Sequence, residues 1–205
     1  MQKSLTKNSI YNVIYTIANI LFPFATSIYV SRILLPAGVG KVASAQNIVS
    51  YFVTLAALGL PSYGVREFAK VREKKHERNK LFTELLLVNI ISTTLAVVGF
   101  IGLVVANEGF NGQWTLYVAC GLSIVFNYLN IDWMYQGLEE YGYITGRSLL
   151  IKGLSLLALF LFVKTREDYV IYALISSLAT GGNYVFNVLN ARKYVALDFL
   201  SLIHI

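Results

Sequence analysis

Five stretches of this chain run for 23 or 24 residues without a charged side chain: 8–31, 42–65, 85–107, 109–131 and 169–191. About 20 apolar residues cross the hydrocarbon of a bilayer as a helix. Within lipid the backbone can satisfy its own polar groups only as helices or closed barrels. Repeated runs of this length point to an all-α integral membrane bundle. Charged residues make up 14% of the 205 residues, against about 25% in soluble domains, which is too few to cover a water-facing surface. A sixth span, 146–163, contains Lys152, whose long stem lets its ammonium reach an interface. The expected spans are 8–31, 41–61, 81–106, 113–132, 146–163 and 169–191, forming one six-helix transmembrane lobe over 1–195.

The expected connections at Leu35–Gly40, Asn107–Gly112 and Lys164–Asp168 are short, and those at Pro61–Lys80 and Asp132–Arg147 are longer. Lysine and arginine orient membrane helices, because cytoplasmic loops hold more of them. With the N-terminus in the cytoplasm, Lys3, Lys7, Arg66, Lys70, Arg72, Lys74, Lys75, Arg78, Lys80, Arg147, Lys152, Arg192 and Lys193 lie inside. Only Arg32, Lys41, Lys164 and Arg166 lie outside. The segment Lys70–Lys80 (KVREKKHERNK) dominates that bias; it reads as a solvated connector that fixes topology or as a contact for anionic lipid head groups. The net charge of +6 is thus spent on orientation, and no nucleic-acid partner is expected. Lys3 and Lys7 before an apolar run resemble a leader, but the run is long and no small-x-small site ends it, so it reads as the first span.

Four spans carry polar residues at helical spacing. The first has Asn12, Thr16, Asn19, Pro23, Thr26 and Ser27; the second has Ser44, Asn47, Tyr51 and Thr54. The fourth has Ser123, Asn127, Asn130 and Met134; the sixth has Ser176, Thr180, Tyr184, Asn187 and Asn190. Amides facing lipid would lose their hydrogen bonds, so these rows face other helices or a wet cavity. Interhelical bonding and a hydrophilic cavity both satisfy them. Pro23, in mid-span, removes a backbone hydrogen bond and favours a kink.

Charges at span ends are the candidates for chemistry. Arg32 could anchor at the interface or fork to phosphate oxygens. Arg66 and Glu67 could pair across a gate or mark topology. Asp132, Glu139, Arg147 and Lys152 gather around one connection. The lone cysteine, Cys120, sits in an apolar run and builds neither disulfide nor zinc site. His76 lies in a charged connector and His204 at the extreme C-terminal end of the sequence, and no phosphate-binding loop is present, so neither enzyme chemistry, cofactor nor metal is expected.

Two blocks resemble a known family. SIYVSRILLPAGVGKVASAQNIVSYFVTLAALGLPSYGVREFAKVRE (Ser27–Glu73) is similar to the polysaccharide (O-antigen or teichoic-type) flippases of the multidrug/oligosaccharidyl-lipid/polysaccharide superfamily, with Tyr29–Arg32, Gly38, Gly40, Tyr63–Glu67 and Ala69–Lys70 matching. NYLNIDWMYQGLEEYGYITGRSLLIK (Asn127–Lys152) matches the family pattern at Asn130, Asp132, Trp133, Gln136, Gly137, Glu139 and Arg147. Leu35 departs from it, standing where the family often has glycine.

The resemblance implies flipping of an undecaprenyl-diphosphate-linked oligosaccharide across the bacterial cytoplasmic membrane by alternating access, with an ion gradient as energy source. Two six-helix lobes would enclose the cavity, so this chain resembles the N-terminal lobe with the second missing. The implied partners are the lipid-linked oligosaccharide, membrane lipids and the polysaccharide polymerase machinery. On this reading Arg32, Arg66 and Arg147 with Asn12, Asn19, Asn47, Asn127 and Asn187 contact substrate, while Glu67, Asp132, Glu139, Lys152 and Pro23 gate or couple. An ion-coupled drug or metabolite antiporter would share the fold, and a membrane enzyme of glycan assembly is a more distant alternative. Leu200–Ile205 reads LSLIHI, which resembles the translation of a sequencing transposon adaptor and is expected to be foreign to the natural protein.

Overall fold

A computed structural model describes residues 5–107, 110 and 112–196. Lys3, His204 and the 200–205 tail lie outside the described residues, as does the side chain of Lys7. Every regular element among the described residues is helical.

The first helical segment, α1, runs Leu5–Ala57 and breaks at one residue, Leu35 (φ 56°, ψ 171°). The expected turn at Leu35–Gly40 thus shrinks to a corner, and the second limb, 36–57, starts earlier than the 41 read from sequence. Pro36 opens that limb, where a missing N–H breaks no helical bond. Leu58 (φ 44°) and Gly59 (φ 73°) end it.

The long connection expected after this limb is itself mostly helix: α2, Leu60–Val71, with a proline in its first turn. α3 spans Lys75–Ala106 and starts six residues before the expected 81. α4 spans Trp114–Phe126 and passes into a 3-10 turn, Asn127–Leu129. The fourth span was expected to continue to 132. Instead Asn130 turns extended (ψ 97°), and a short helix α5, Asp132–Gly137, follows. α6 runs Tyr141–Phe162, five residues earlier at its start than expected, and α7 runs Tyr169–Ala191.

Side-chain contacts set the direction of each helix. Thr145 Oγ1 donates to the Tyr11 carbonyl at 3.0 Å and Tyr29 Oη to the Val163 carbonyl at 2.9 Å, so the first limb of α1 runs parallel to α6. Ser92 Oγ donates to the Ala56 carbonyl at 2.6 Å, and Phe52 meets Phe100 edge-on with centroids 5.5 Å apart, so the second limb opposes α3. Asn89 bonds Asn127 while Phe100 lies against Gly121, so α3 opposes α4. Ser177 lies by Cys120 and Gly181 by Phe126, so α4 and α7 run together. Tyr143 bonds Phe186 and Arg147 bonds Asn183, so α6 opposes α7. The six long segments therefore alternate in direction along the chain.

Among the described residues, three apolar clusters hold the bundle. Val42, Val49, Phe100, Leu116, Ile124 and Ala173 join the second limb of α1 to α3, α4 and α7. Val30, Leu34, Leu159 and Val163 close the Leu35 end. Phe68, Phe82, Trp133, Met134 and Tyr135 fasten α2 and α5 to the opposite end, the α2 end. There α2 and α5 touch almost backbone to backbone: a Cβ on Gly137 would lie 2.6 Å from the Phe68 Cβ and 3.1 Å from the Val65 carbonyl oxygen.

The outside is apolar. Leu150, Leu154, Leu157 and Leu161 form an exposed row at helical spacing on α6, as do Ile91, Leu95 and Val98 on α3. A water-soluble fold does not present such rows. Among the described residues, three stretches are long and apolar enough to cross a membrane: Ser9–Val71, which contains the Leu35 corner, Lys75–Ala106 and Tyr141–Phe162. Trp114–Leu129 is apolar but shorter. α7 has the length, and its Ser, Tyr and Asn residues keep it less apolar.

Candidate functional site

The polar candidates gather in two places on α6 and α7. At the α2 end, Arg147 is almost sealed, its side chain 4% exposed, while Asp132 is 29% exposed. Arg147 Nη1 donates to Asp132 Oδ1 at 3.1 Å and to the Asn183 carbonyl at 3.1 Å. It also donates to Asn187 Oδ1, and Asn187 Nδ2 in turn donates to Asp132 Oδ1. The stacked rings of Tyr135 and Tyr143, 4.9 Å apart, wall this cluster. Their hydroxyls donate to the Asn187 and Phe186 carbonyls at 2.6 and 2.7 Å. Three candidates read separately from sequence, Asp132, Arg147 and Asn187, are therefore one network that locks α5, α6 and α7 together. A charge that has left water needs such partners.

One and a half turns further along α6, Lys152 Nζ donates to Asn19 Oδ1 on the first limb of α1 at 2.5 Å. The ammonium also lies 5.9 Å and 5.8 Å from the ring centroids of Tyr15 and Phe22, within cation–π range. Pro23, Lys152 and Asn183 line a cavity of about 250 Å³ between α1, α6 and α7. Asn19, Pro23 and Lys152 thus come together.

Glu67 takes both Arg66, at 3.0 Å, and Lys70, at 2.8 Å, on the exposed face of α2. Arg66 remains 67% exposed. Glu139, whose backbone is left-handed (φ 57°), pairs with Arg72 at 2.8 Å and ties the α2–α3 turn to the start of α6. Arg32 lies exposed near the Leu35 corner, at the opposite end from Arg66 and Arg147.

The four polar rows divide into two kinds. Those of α4 and α7 point inward: Asn127 and Asn187 are buried, and Ser123 donates to Ser177 at 3.0 Å. Those on α1 mostly do not: Asn12, Thr16, Asn19 and Ser27 on the first limb are exposed while Thr26 is buried, and Ser44, Asn47, Tyr51 and Thr54 on the second are exposed. α3 adds a row that the sequence reading left out. Asn89, Ser92 and Thr93 are buried and bond across to α4 and α1. Their spacing with Ala96 and Phe100 is the same helical repeat, and the signal was present in the sequence.

The profile of a family described as polysaccharide biosynthesis protein matches residues 5–200. A protein of Escherichia coli (strain K12), provisionally named an O-antigen transporter, is 23% identical over 176 residues, covering 86% of this chain and 42% of the relative. A protein of Shigella dysenteriae with the same provisional name is 27% identical over 157 residues, covering 75% of this chain and 38% of the relative. The chain thus spans about two fifths of the length of the curated relatives that it matches. No solved structure matches it significantly.

Proposed function

The chain belongs to the polysaccharide biosynthesis protein family, a family of multi-pass membrane proteins, and from that premise we propose that it forms one lobe of a flippase for lipid-linked oligosaccharide. In this reading six spans cross a bacterial cytoplasmic membrane with the N-terminus in the cytoplasm. A second helical bundle faces the lobe across a water-filled cavity, and the two rock about a substrate carried on a prenyl diphosphate. The reading rests above all on the polar rows of α1, most of whose members, Thr26 excepted, both limbs present outward. Amides and hydroxyls so placed are costly against lipid and favourable against water, sugar hydroxyls or another bundle.

The division of the rows assigns roles. Asn12, Asn19 and Asn47, being exposed, are candidates to meet the sugar, while Asn127 and Asn187, being buried and bonded, hold the lobe in shape. Arg32 and Arg66 keep their guanidinium groups accessible and could attract the diphosphate at the two ends of the path. Arg147 is already met by Asp132 and becomes a positioning residue. Glu67 and Glu139, each paired with a cation near the α2–α3 turn, would gate that end. An antiporter of drugs or metabolites would need an available carboxylate within its spans. Asp132, at the heart of the α5–α7 network, is occupied by Arg147 and Asn187.

Arg32→Ala in the full-length transporter that carries this lobe tests the reading. Surface glycan is measured at matched protein level in cells that depend on that transporter. Export is expected to fall at least tenfold, and unchanged export removes Arg32 from the path.

A further inference from the structure

Most cations at the α2 end already face a carboxylate. Glu67 takes Arg66 and Lys70, Glu139 takes Arg72, and Glu77 takes Lys74. Lys80 lies 3.8 Å from Glu84, and Arg78 Nη1 donates to the Arg72 carbonyl at 2.7 Å. Among the described lysines and arginines of the run 70–80, Lys75 is the one left exposed and without a partner.

The fold brings two more free cations to it. The chain leaving α7 turns through Arg192, Lys193 and Tyr194, and the Tyr194 and Val195 N–H groups bond the Ala191 carbonyl at 2.8 and 3.0 Å. The Ala196 N–H then donates to Asn79 Oδ1 at 3.1 Å. Asn79 stands one helical turn from Lys75, on the same face of α3. Val195 belongs to the same apolar cluster as Phe82 of α3. Arg192 and Lys193 are exposed, and no described side chain meets either. Glu140 is engaged by Tyr194, so Glu73 is the one unpaired carboxylate among the described residues of this end.

The surface beside the pair is apolar. Val185 and Leu189 are exposed on α7, and Arg192 and Lys193 follow Leu189 by three and four residues. Such spacings keep to one helical face, so an outward apolar row ends in two cations. A phospholipid has the complementary shape: chains along the apolar row and an anionic head group at the level of the cations. A soluble anion matches the cations alone. Cations at the C-terminus of α7 also suit the helix dipole, but that does not account for Lys75. It stands at the first position of α3, where the dipole disfavours a cation and favours a nearby anion.

We propose that Lys75, Arg192 and Lys193 form a site for the head group of an anionic phospholipid whose chains lie along the outer face of α7. The site needs α7 to cross a bilayer, and it stands whether or not the lobe moves oligosaccharide.

The full-length protein that carries this lobe is titrated in neutral detergent with phosphatidylglycerol and with phosphatidylcholine at one ionic strength, and bound lipid is counted by native mass spectrometry. The parent is expected to retain phosphatidylglycerol in preference. Arg192→Gln/Lys193→Gln is expected to weaken that binding about tenfold. Lys164→Gln/Arg166→Gln removes two exposed cations at the Leu35 end and is expected to leave it unchanged. Equal losses in the two double variants mean diffuse attraction to charge and overturn the proposal. So does a parent that retains both lipids equally. Release of phosphatidylglycerol by an equal concentration of inorganic phosphate means an anion site with no use for the lipid chains, and also overturns it. If Arg192→Gln/Lys193→Gln does not fold, Lys75→Gln decides, because losing a cation from the start of a helix does not weaken the helix. Phosphatidylglycerol binding about threefold weaker supports the site, and unchanged binding overturns it.

Discussion

Asn89 and Asn127 bond each other in both directions across α3 and α4. Asn89 Nδ2 donates to the Asn127 backbone carbonyl at 2.8 Å, and Asn127 Nδ2 donates to Asn89 Oδ1 at 3.1 Å. Asn127 Nδ2 also reaches Thr93 Oγ1 at 2.9 Å, and Asn127 Oδ1 accepts from Asn130 at 3.0 Å. The cluster sits where α4 stops being an α-helix, so it supplies partners to a backbone that has lost its regular ladder.

Asn127→Leu takes the donor away from Asn89 Oδ1 and Thr93 Oγ1 and the acceptor away from Asn130 Nδ2, while Asn89 Nδ2 keeps the backbone carbonyl of residue 127. A buried polar group left unsatisfied costs about 1–3 kcal/mol, and this substitution is expected to cost at least 2 kcal/mol. Asn89→Leu/Asn127→Leu together should cost less than the two single changes added. Chemical denaturation in detergent measures both, and strict additivity would mean the pair does not act as a unit.

Arg147→Met leaves Asp132 without its main partner. Breaking a buried pair on one side costs about 3–5 kcal/mol, but Asp132 keeps part of its solvation, so the expected loss is about 2 kcal/mol. Asp132→Leu added to Arg147→Met should restore part of the stability, because no charge then remains unmatched. A double variant weaker than Arg147→Met would show that the two side chains serve different contacts.

Leu35 holds a backbone conformation (φ 56°, ψ 171°) that only glycine adopts freely. Conformations of this kind cost about 1–3 kcal/mol for other residues. Leu35→Gly is therefore expected to raise stability by about 1 kcal/mol, after the extra freedom of glycine in the unfolded chain is subtracted. The buried Leu34 next to it is expected to fall in stability when cut to alanine, so the two neighbouring changes should move the melting temperature in opposite directions.

Asp168 closes the loop before α7 by accepting from the Lys164 N–H at 2.9 Å and the Thr165 N–H at 2.7 Å. These two bonds, Lys164 first, hold its carboxyl below the ordinary value of 3.8. Because the folded value is depressed, the stabilisation is present above the unfolded value and is lost as pH falls through the folded one. Asp168→Ala should lower the melting temperature at neutral pH and make no difference once the medium is acid enough to protonate the native carboxylate. A gap that persists unchanged into strong acid would separate the effect from the charge.

Much of the bundle was legible in run length alone. A charge-free run of 23 or 24 residues has few alternatives to a long helix, and the limbs of α1, α3 and α7 lie where those runs lie. The break after α4 was not legible, because Asn127–Ile131 contains neither proline nor glycine and its cause is the tertiary bonding of Asn127. α2 was readable and was missed: Leu60, Gly64 and Phe68 recur every four residues behind Pro61, but the charges around them read as a connector. Of the site, the sequence supplied the residue types. Only folding could join Asp132, Arg147 and Asn187, or bring Asn19 to Lys152, from opposite ends of the chain.

The outward rows on α1 also set an order of events. α1 is the first described element to leave the ribosome, yet Asn12, Asn47 and Tyr51, the last 71% exposed, find no cover among the helices that follow. On the two-lobe reading proposed above, these hydrophilic side chains wait in the membrane until the second bundle closes over them. On that same reading, polar groups left uncovered within the bilayer mark an unfinished assembly, so this surface would distinguish a lobe that has met its counterpart from one that has not.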